Sequence, residues 1–378
     1  MNTKLATIAV LLLAGSSLGE TIYVSGTGSA TNLGASWKDA LPTIRAGLDR
    51  ARPGDSIWVS AGVYGPIELK DGVRIFGGFE GSETVVADAK PEANATVVSG
   101  NRKGRAIVGK NCGAGTLVRG LTITGGVIAG TYAEAGGGLL LENSHASFVN
   151  CVFTRNASDY MGGAVANYGG GRPVFINCRF LDNGILPDGA TVLGGGAAFN
   201  HDGEMTFVNC LFARNRAWEG GGIANVAESA MRFTNCTFTA NKASRGAGGA
   251  IFDAFASTVL RNCIIWGNVG AAEEASEIHN REDMGRRSDV ANSLVRGGWP
   301  GTANLDADPL FVDPSTGDFR LQSLSPCVSR GSVAFLPADT VDLDGDGDKV
   351  ELLPLDLNAQ VRVEGTSLDM GAFQKRSP

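Results

Sequence analysis

One acidic run near the C-terminus combines side chains and spacing that suit a bound cation. Aspartates fill every second position at Asp342, Asp344, Asp346 and Asp348. Asp at positions 1, 3 and 5 with Gly at position 6 opens an EF-hand calcium loop, where carboxylates converge on one hard ion. The sequence therefore predicts a structural calcium ion held by these four aspartates and Glu351.

The run departs from the EF-hand pattern at its twelfth position. Leu353 stands where that pattern has a bidentate glutamate, so Glu351 or Asp356 would have to supply the ligand. Without an ion the neighbouring carboxylates repel one another. The alternative to a calcium site is an acidic turn that water solvates. We expect such an ion to clip the chain together and to take no part in catalysis.

No group of residues in the sequence predicts an active site. Hydrolysis of a glycosidic bond needs two carboxylates at a defined separation, and elimination from a uronide needs a base beside a cation-neutralised carboxylate. One recurring polar position holds Arg155, Asp182, Arg214 and Ala240. This position alternates in charge, which predicts a solvated, salt-bridged edge. The isolated histidines, read as surface or loop residues, are His145, His201 and His279.

The elements that position these residues follow from a repeat over residues 136–268. A glycine cluster, an Asn-Cys pair and a further asparagine recur five times. The cysteines, 27, 32, 26 and 27 residues apart, are Cys151, Cys178, Cys210, Cys236 and Cys263. A fixed period of this length is typical of a solenoid, whose turns stack in parallel around one shared core. Each turn has room for three short strands, and the 54 glycines suit frequent tight turns.

Alternation along residues 148–153 predicts which side chains face the core. Val149, Cys151 and Phe153 are expected inside, and Phe148 is expected outside. Neighbouring rungs lie about 4.8 Å apart, which a disulfide tolerates, so bridged cysteines are one alternative. We favour buried thiols that pack as small hydrophobic groups. A zinc site is not indicated, because no CxxC pair accompanies the cysteines.

The last asparagine of each repeat predicts a bend. These residues are Asn156, Asn183, Asn215, Asn241 and Asn268. Asparagine tolerates left-handed backbone geometry and can hydrogen-bond an identical neighbour one rung away. We therefore expect a structural ladder here. The longest gap after a bend, residues 184–193, is expected to protrude, either as a binding surface or as an insertion without a role.

The N-terminus predicts export. Lys4 precedes an apolar run over residues 5–14, and small residues end at Gly19. This pattern indicates a signal peptide over residues 1–19, since the run is shorter than the roughly 20 residues that span a bilayer; an uncleaved anchor is the alternative. No later apolar stretch predicts a transmembrane span. The net charge of −7 with scattered Lys and Arg predicts that nucleic acid is not a partner.

Apolar residues after the signal follow a helical period. They are Trp37, Leu41, Ile44, Leu48 and Ala51. A helix there would cover the open end of the solenoid. We therefore expect an N-terminal cap over residues 20–56, the solenoid over residues 57–330, and a C-terminal region with the acidic turn over residues 331–378.

Several phrases of the sequence carry a family resemblance. The Leu-Thr-Ile-Thr phrase and the Asn-Cys-x-Phe repeats resemble right-handed parallel β-helix proteins of the pectate-lyase-like superfamily, and are similar to secreted repeats of polymorphic outer-membrane proteins. The phrases at residues 308–313, 325–327 and 369–373 resemble the choice-of-anchor Q region of bacterial surface proteins. The resemblance implies an all-β, right-handed parallel β-helix with three strands per turn and an N-terminal capping helix.

The same resemblance implies an extracellular or cell-surface protein. Our first hypothesis is a non-catalytic β-helix scaffold that binds extracellular polysaccharide or a cell-surface partner. The alternative is a polysaccharide lyase or glycoside hydrolase of the pectate-lyase-like class. The catalytic pattern of pectate lyases is not found in this sequence, and a shared fold does not imply a shared function.

Overall fold

The computed structural model describes residues 19–129, 135–186, 194–271, 277–281 and 287–375. Three long sheets, A, B and C, run along the molecule, and all their strand pairings are parallel. The ten strands of sheet A are Thr21–Val24, Ser56–Ser60, Arg74–Phe79, Leu117–Arg119, Ser147–Val149, Val174–Ile176, Glu204–Val208, Ala230–Thr234, Ser257–Arg261 and Asp289–Ala291.

Sheets B and C complete each turn of the solenoid. The strands of sheet B are Gly62–Tyr64, Thr96–Ser99, Leu121–Thr124, Val152–Thr154, Arg179–Leu181, Leu211–Ala213, Thr237–Thr239, Ile264–Trp266 and Leu294–Val295. The strands of sheet C are Ile67–Glu68, Ile107–Lys110, Leu139–Glu142, Val165–Tyr168, Ala198–His201, Ile223–Val226, Ile251–Ala254 and Ile278–Asn280. The predicted all-β architecture is confirmed.

A fourth, short sheet lies between B and C in the central turns. Its two-residue strands, sheet D, are Val127–Ile128, Ala157–Ser158, Gly184–Ile185, Arg216–Ala217 and Lys242–Ala243. The predicted three strands per turn are thus present, with this ladder as an addition. Beyond the solenoid, Phe311–Asp313 and Asp318–Leu321 form an antiparallel hairpin.

The capping helix is shorter than the apolar period predicts. Helix α1 spans Ile44–Arg50, and the Thr43 hydroxyl caps it by accepting the Ala46 N–H. Trp37–Asp39 forms a separate 3-10 turn, because Leu41 instead pairs with Val24 at the edge of sheet A. Ile44 and Leu48 are buried against the first rungs, so the helix closes that end of the core.

Two columns of phenylalanine fill the core. Phe148, Phe175, Phe207 and Phe233 stack with ring centroids 4.9–5.0 Å apart. Phe153, Phe180, Phe212 and Phe238 stack in the same way, 4.4–4.9 Å apart. Offset aromatic pairs of this kind add about 0.5–1.5 kcal/mol each beyond the burial of their area. All seven cysteines are free and buried, and the five of the repeat lie in this core.

The predicted faces of Phe148 and Val149 are wrong. Phe148 points into the core, whereas Val149 points outwards into a second apolar cluster. The reason is Asn150, whose φ of 52° is left-handed and breaks the alternation between sheets A and B. Cys151 and Phe153 face inwards, as predicted.

The predicted asparagine ladder is confirmed, but the left-handed residue of its bend lies one position earlier. Arg155 and Asp182 have φ of 54° and 56°, and the bend asparagines do not share this geometry. The turn at the preceding residue directs each asparagine side chain into the solenoid. There the Asn156 amide donates to Asn183 Oδ1 at 3.1 Å and to the Ile123 carbonyl at 2.9 Å.

The end of the chain folds back over the corner between sheets A and B. We call residues 331–375 the clasp. The side-chain amides of Asn177 and Asn209 donate to carbonyls of the clasp at 2.9 Å, and Asn235 does so at 3.1 Å. Leu343 and Leu353 of the clasp cover the outward column of sheet A, which consists of Val149, Ile176 and Val208. Among the residues that the structure describes, no helix has the length and apolar character of a membrane span.

Candidate functional site

A cleft of about 780 Å³ lies on the outer face of sheet A. Its floor follows one register column across five successive strands: Thr21, Ser56, Arg74, Leu117 and Ser147. Five strands include four steps of about 4.8 Å, so the floor is about 19 Å long. Residues 85–87 and residues 340–345 of the clasp also line the cleft.

Aromatic side chains support this floor. Trp58 and Phe76 line the cleft and are largely buried by their neighbours. Trp58 stacks on Phe79 with centroids 4.8 Å apart, and Tyr23 packs edge-on against Trp58 at 5.6 Å. Trp58 and Phe76 face outwards because the residues before them in their strands, Ile57 and Ile75, face the core. These rings therefore form an apolar layer beside the mostly polar side chains of the floor.

Charged groups of both signs border the cleft. Arg74 donates to the Gly54 carbonyl at 2.9 Å, and Lys349 is exposed. Arg119 donates to the Asp342 and Leu343 carbonyls at 3.3 and 2.8 Å. Burial lowers the pKa of the Arg119 guanidinium, against the opposing pull of nearby Asp339 and Asp342. Arg119 thereby anchors the acidic turn of the clasp to sheet A.

The acidic turn brings most of the predicted cation ligands together. Carboxylate oxygens of Asp342, Asp344 and Asp346 lie within 4.8 Å of one another. A second group, also within 4.8 Å, consists of Asp339, Asp344 and Glu351. Both groups contain Asp344, so together they form one acidic cluster.

Two predicted details of this cluster differ in position. Asp348 lies in neither group, and its Oδ1 accepts the N–H groups of Val350 and Glu351. Asp339 is a member that the sequence did not single out. The EF-hand pattern counts forward from Asp342, so it gives no signal for a ligand three residues earlier. Only the fold-back of residue 351 onto residue 339, where the Asp339 N–H donates to the Glu351 carbonyl at 2.8 Å, brings them together.

The cluster is electrostatically strained. Burial raises the pKa of Asp339, and the carboxylates of Asp344 and Asp342 add to that rise. Desolvation and the charges of Asp346, Asp344 and Asp348 likewise raise the pKa of Glu351. Each shift shows that the charged form is disfavoured in this environment. A cation would reverse that preference.

The recurring polar position forms the predicted salt-bridged edge. Arg214 makes a two-pronged contact with Asp182, at 2.9 and 3.0 Å. Nearby, Arg320 pairs with Asp318, and Arg179 donates to Asn358 Oδ1 at 2.7 Å. These residues border a second groove, of about 460 Å³, between the hairpin and the clasp. The arginines of this groove already pair with side chains of the protein. We therefore assign the groove a structural role at the contact between the solenoid, the hairpin and the clasp.

Within the described residues, the remaining candidates belong to neither carboxylate group. His201 is exposed beside Tyr168, and His279 stacks on Phe252 with centroids 5.7 Å apart. Of the expected protruding corner, Gly184–Ile185 forms a strand of sheet D, and residues 187–193 lie outside the described residues. The predicted signal peptide also falls there, apart from Gly19.

Comparison with known proteins agrees with this architecture. A family model described as "Right handed beta helix region" matches residues 105–281. The crystal structure of pectate lyase Pel9A is similar, with a TM-score of 0.54 and 15% identity, covering 96% of this chain and 98% of that chain. A pectin methylesterase from Aspergillus niger reaches a TM-score of 0.40 and 14% identity, covering 89% and 97% of the two chains, which is too distant to support an argument.

Among proteins with curated functions, no sequence matches this chain. The likeness to the lyase concerns the fold alone, because its sequence identity is low. Parallel sheets A to C, the matched region and the shared architecture together identify this protein as a right-handed parallel β-helix.

Proposed function

We propose that this protein is an exported β-helix that binds an extracellular polysaccharide in the sheet A cleft without cleaving it. The observation that carries the proposal is the shape of the cleft, which follows five rungs of the solenoid for about 19 Å. A long, open trough of repeated backbone suits a polymer better than a compact metabolite.

The lining of the cleft supports this choice of ligand. Sugar rings present apolar C–H faces together with hydroxyl groups, and they need both kinds of partner. Val85, which is 51% exposed, and the half-buried Leu117 offer apolar surface, while Arg74, Lys349 and Ser147 offer hydrogen-bond donors. Sites that bind small ligands commonly combine an apolar lining with a few placed polar groups in this way.

Location supports the same proposal from the sequence. The signal-like residues 1–19 and the resemblance to secreted repeat proteins favour an extracellular location, where polysaccharides are available. The resemblance to a surface-anchoring region favours a role at the cell surface. A surface protein as the partner is the alternative occupant of the cleft.

A glycan array probed with the full mature chain tests the proposal. We expect binding to at least one polysaccharide, weakened about tenfold or more by Arg74→Ala together with Lys349→Ala. The matched control is Lys242→Ala, an exposed lysine on sheet D. An array without any bound glycan, or variants that bind like the control, would overturn the proposed site.

One observation favours a second function, uronide elimination. The cleft contains Lys349 and Arg119 beside the carboxylates of Asp342 and Asp344. In such a reaction a base removes the C5 proton, the C5–H electron pair forms the C4=C5 double bond, and the C4–O bond breaks. The leaving oxygen takes up a proton from the protonated base or from water. Arg119 donates to two carbonyls, which leaves Lys349 as the freer candidate base.

Incubation with pectate, alginate or chondroitin and calcium separates the two functions. An unsaturated uronate product absorbs ultraviolet light, so its accumulation is followed directly. We expect none. Absorbance that grows with wild-type protein and not with Lys349→Ala would replace the non-catalytic proposal with the lyase.

A further inference from the structure

We infer that Asp339, Asp344 and Glu351 bind one divalent cation, which ties the two ends of the acidic turn together. The inference does not depend on polysaccharide binding. It also differs from an EF-hand-like loop, because its buried ligand precedes the aspartate repeat and its far ligand is Glu351.

The spacing of the three carboxylates fits one ion. Their ligand oxygens lie within 4.8 Å of one another. Calcium binds oxygen at 2.3–2.6 Å, so two oxygens on one ion are separated by at most about 5 Å. The three side chains can therefore share a calcium ion without large movement. Asp342 and Asp346 form the second group with Asp344, so their carboxylates lie next to the proposed ion site.

Two buried oxygens supply an independent indication. Asp339 is 0% exposed, and its Oδ2 accepts the Leu343 N–H at 2.6 Å. Its Oδ1 has no hydrogen-bond partner in the part of the chain that the structure describes, and the same holds for the buried Oε1 of Glu351. A buried unpaired acceptor costs about 1–3 kcal/mol, and more when it is charged. Both oxygens belong to residues of the one three-carboxylate group, so one cation would satisfy them together.

The local charge points the same way. Six carboxylates belong to the turn, from Asp339, Asp342, Asp344, Asp346, Asp348 and Glu351, whereas the nearby cations are Arg119 and Lys349. Six negative and two positive charges leave −4, which a divalent cation reduces to −2. Arg119 cannot replace the ion, because its hydrogen bonds go to backbone carbonyls.

The position of the ion gives it a mechanical task. Ala338 and Leu352 pair as an antiparallel bridge, so Asp339 and Glu351 are the first residues inside the closed loop. Leu343 and Leu353 of the same segment cover sheet A. An ion between Asp339 and Glu351 thus fastens the loop that lines part of the cleft.

Calcium titration of the chelator-treated full chain tests the inference by calorimetry. We expect one ion per chain and a rise in melting temperature on adding calcium. Asp339→Asn and Glu351→Gln keep the side-chain shapes and should weaken calcium binding about 10–100-fold. The control is Glu228→Gln, an exposed glutamate outside the acidic turn, which should change the affinity by less than about threefold.

Each outcome decides the assignment. If calcium at millimolar concentration gives neither heat nor a melting shift, the site is refuted. If Asp339→Asn binds like wild type while Asp342→Asn does not, the ion belongs to an EF-hand-like turn and the inference is wrong. Should Asp339→Asn fail to fold, Glu351→Gln answers the same question. Loss of glycan binding with intact calcium binding would refute only the proposed function.

Discussion

The Asn268 side-chain amide donates to Glu277 Oε2 at 2.6 Å, and this contact ends the asparagine ladder of the solenoid. The Gly267 and Asn268 backbone N–H groups donate to the other carboxylate oxygen, at 2.9 and 3.3 Å. One turn earlier, Asn241 makes the equivalent backbone and amide contacts to Asn268 Oδ1. Glu277 thus accepts the hydrogen bonds that the next asparagine of the ladder would accept. Its carboxylate has no N–H group with which to continue the ladder.

This contact predicts a pH-dependent stability. Burial raises the pKa of Glu277 from 4.5 to about 7, despite hydrogen bonds from Asn268 and Gly267 that lower it. The folded state therefore binds a proton that the unfolded state has lost between these values, so stability falls as pH rises from 4.5 to 7. Glu277→Gln should remove roughly 1 kcal/mol per pH unit of that dependence.

Denaturant unfolding between pH 6 and 7 measures this slope. The buried carboxyl of Asp253, whose pKa burial raises to about 6, also loses part of its proton in this window. It does so in wild type and in Glu277→Gln alike, so the difference between their slopes reports Glu277. The exposed Glu228→Gln serves as the control. Equal slopes in wild type and Glu277→Gln would contradict the assignment.

The middle of the ladder should be the most sensitive to substitution. Asn215 is 0% exposed; its Oδ1 accepts the Asn183 N–H and amide at 3.1 and 3.0 Å, and its own amide donates to the Phe180 carbonyl at 2.9 Å. Asn215→Ala leaves those groups unpaired, so we expect a loss of about 2–5 kcal/mol. Urea unfolding of this variant beside the exposed Lys242→Ala checks the value, and a difference below about 1 kcal/mol would contradict it.

The cysteine stack should be chemically silent in the folded protein. All seven cysteines are buried, with side chains at most 1% exposed, so no reagent reaches their sulfurs in the folded state. Burial also raises the pKa of the Cys210, Cys151 and Cys263 thiols well above its usual value. A neutral buried thiol does not react with aromatic disulfide reagents. We expect rapid reaction of all seven thiols after unfolding and none in the native state. Leu324→Cys, at a position that is 86% exposed, should react at once and controls for the assay.

The clasp should detach without unfolding the solenoid. Leu353 is 0% exposed against Val149 and Ile176, whereas its neighbour Leu352 is 46% exposed. Leu353→Asp places a charge in this contact, and Leu352→Asp does not. We expect limited proteolysis to cut the first variant near residues 338–355 while the rungs survive. Cleavage spread evenly along the chain would show instead that the clasp and the solenoid unfold as one unit.

The repeating part of this fold could be predicted from the sequence, whereas most of the rest could not. Cys151 and Phe153 were placed correctly because each repeat position maps onto one rung. The faces of Phe148 and Val149 were misjudged, since a left-handed Asn150 interrupts alternation without a signal of its own. For residues 331–375 the sequence showed only short motifs, and it did not predict that this segment packs against sheets A and B.

The candidate site shows the same division. The alternating aspartates were legible because their ligands are local in sequence. Asp339 and the sheet A cleft were not, because both depend on contacts between segments far apart in the chain. Arg119 meets the acidic turn across 223 residues, and no spacing pattern encodes such a meeting.

That distance has a consequence for the order in which the protein is completed. Rungs stack on neighbours made just before them, so the solenoid grows with the emerging chain. Val149, Ile176 and Val208 nevertheless stay uncovered until Leu343 and Leu353 have been synthesised. Throughout that interval the chain presents an aliphatic stripe on a sheet surface, the kind of surface on which nascent chains associate. The segment that contains Leu343 and Leu353 therefore protects this stripe from association only after the rungs beneath it have formed.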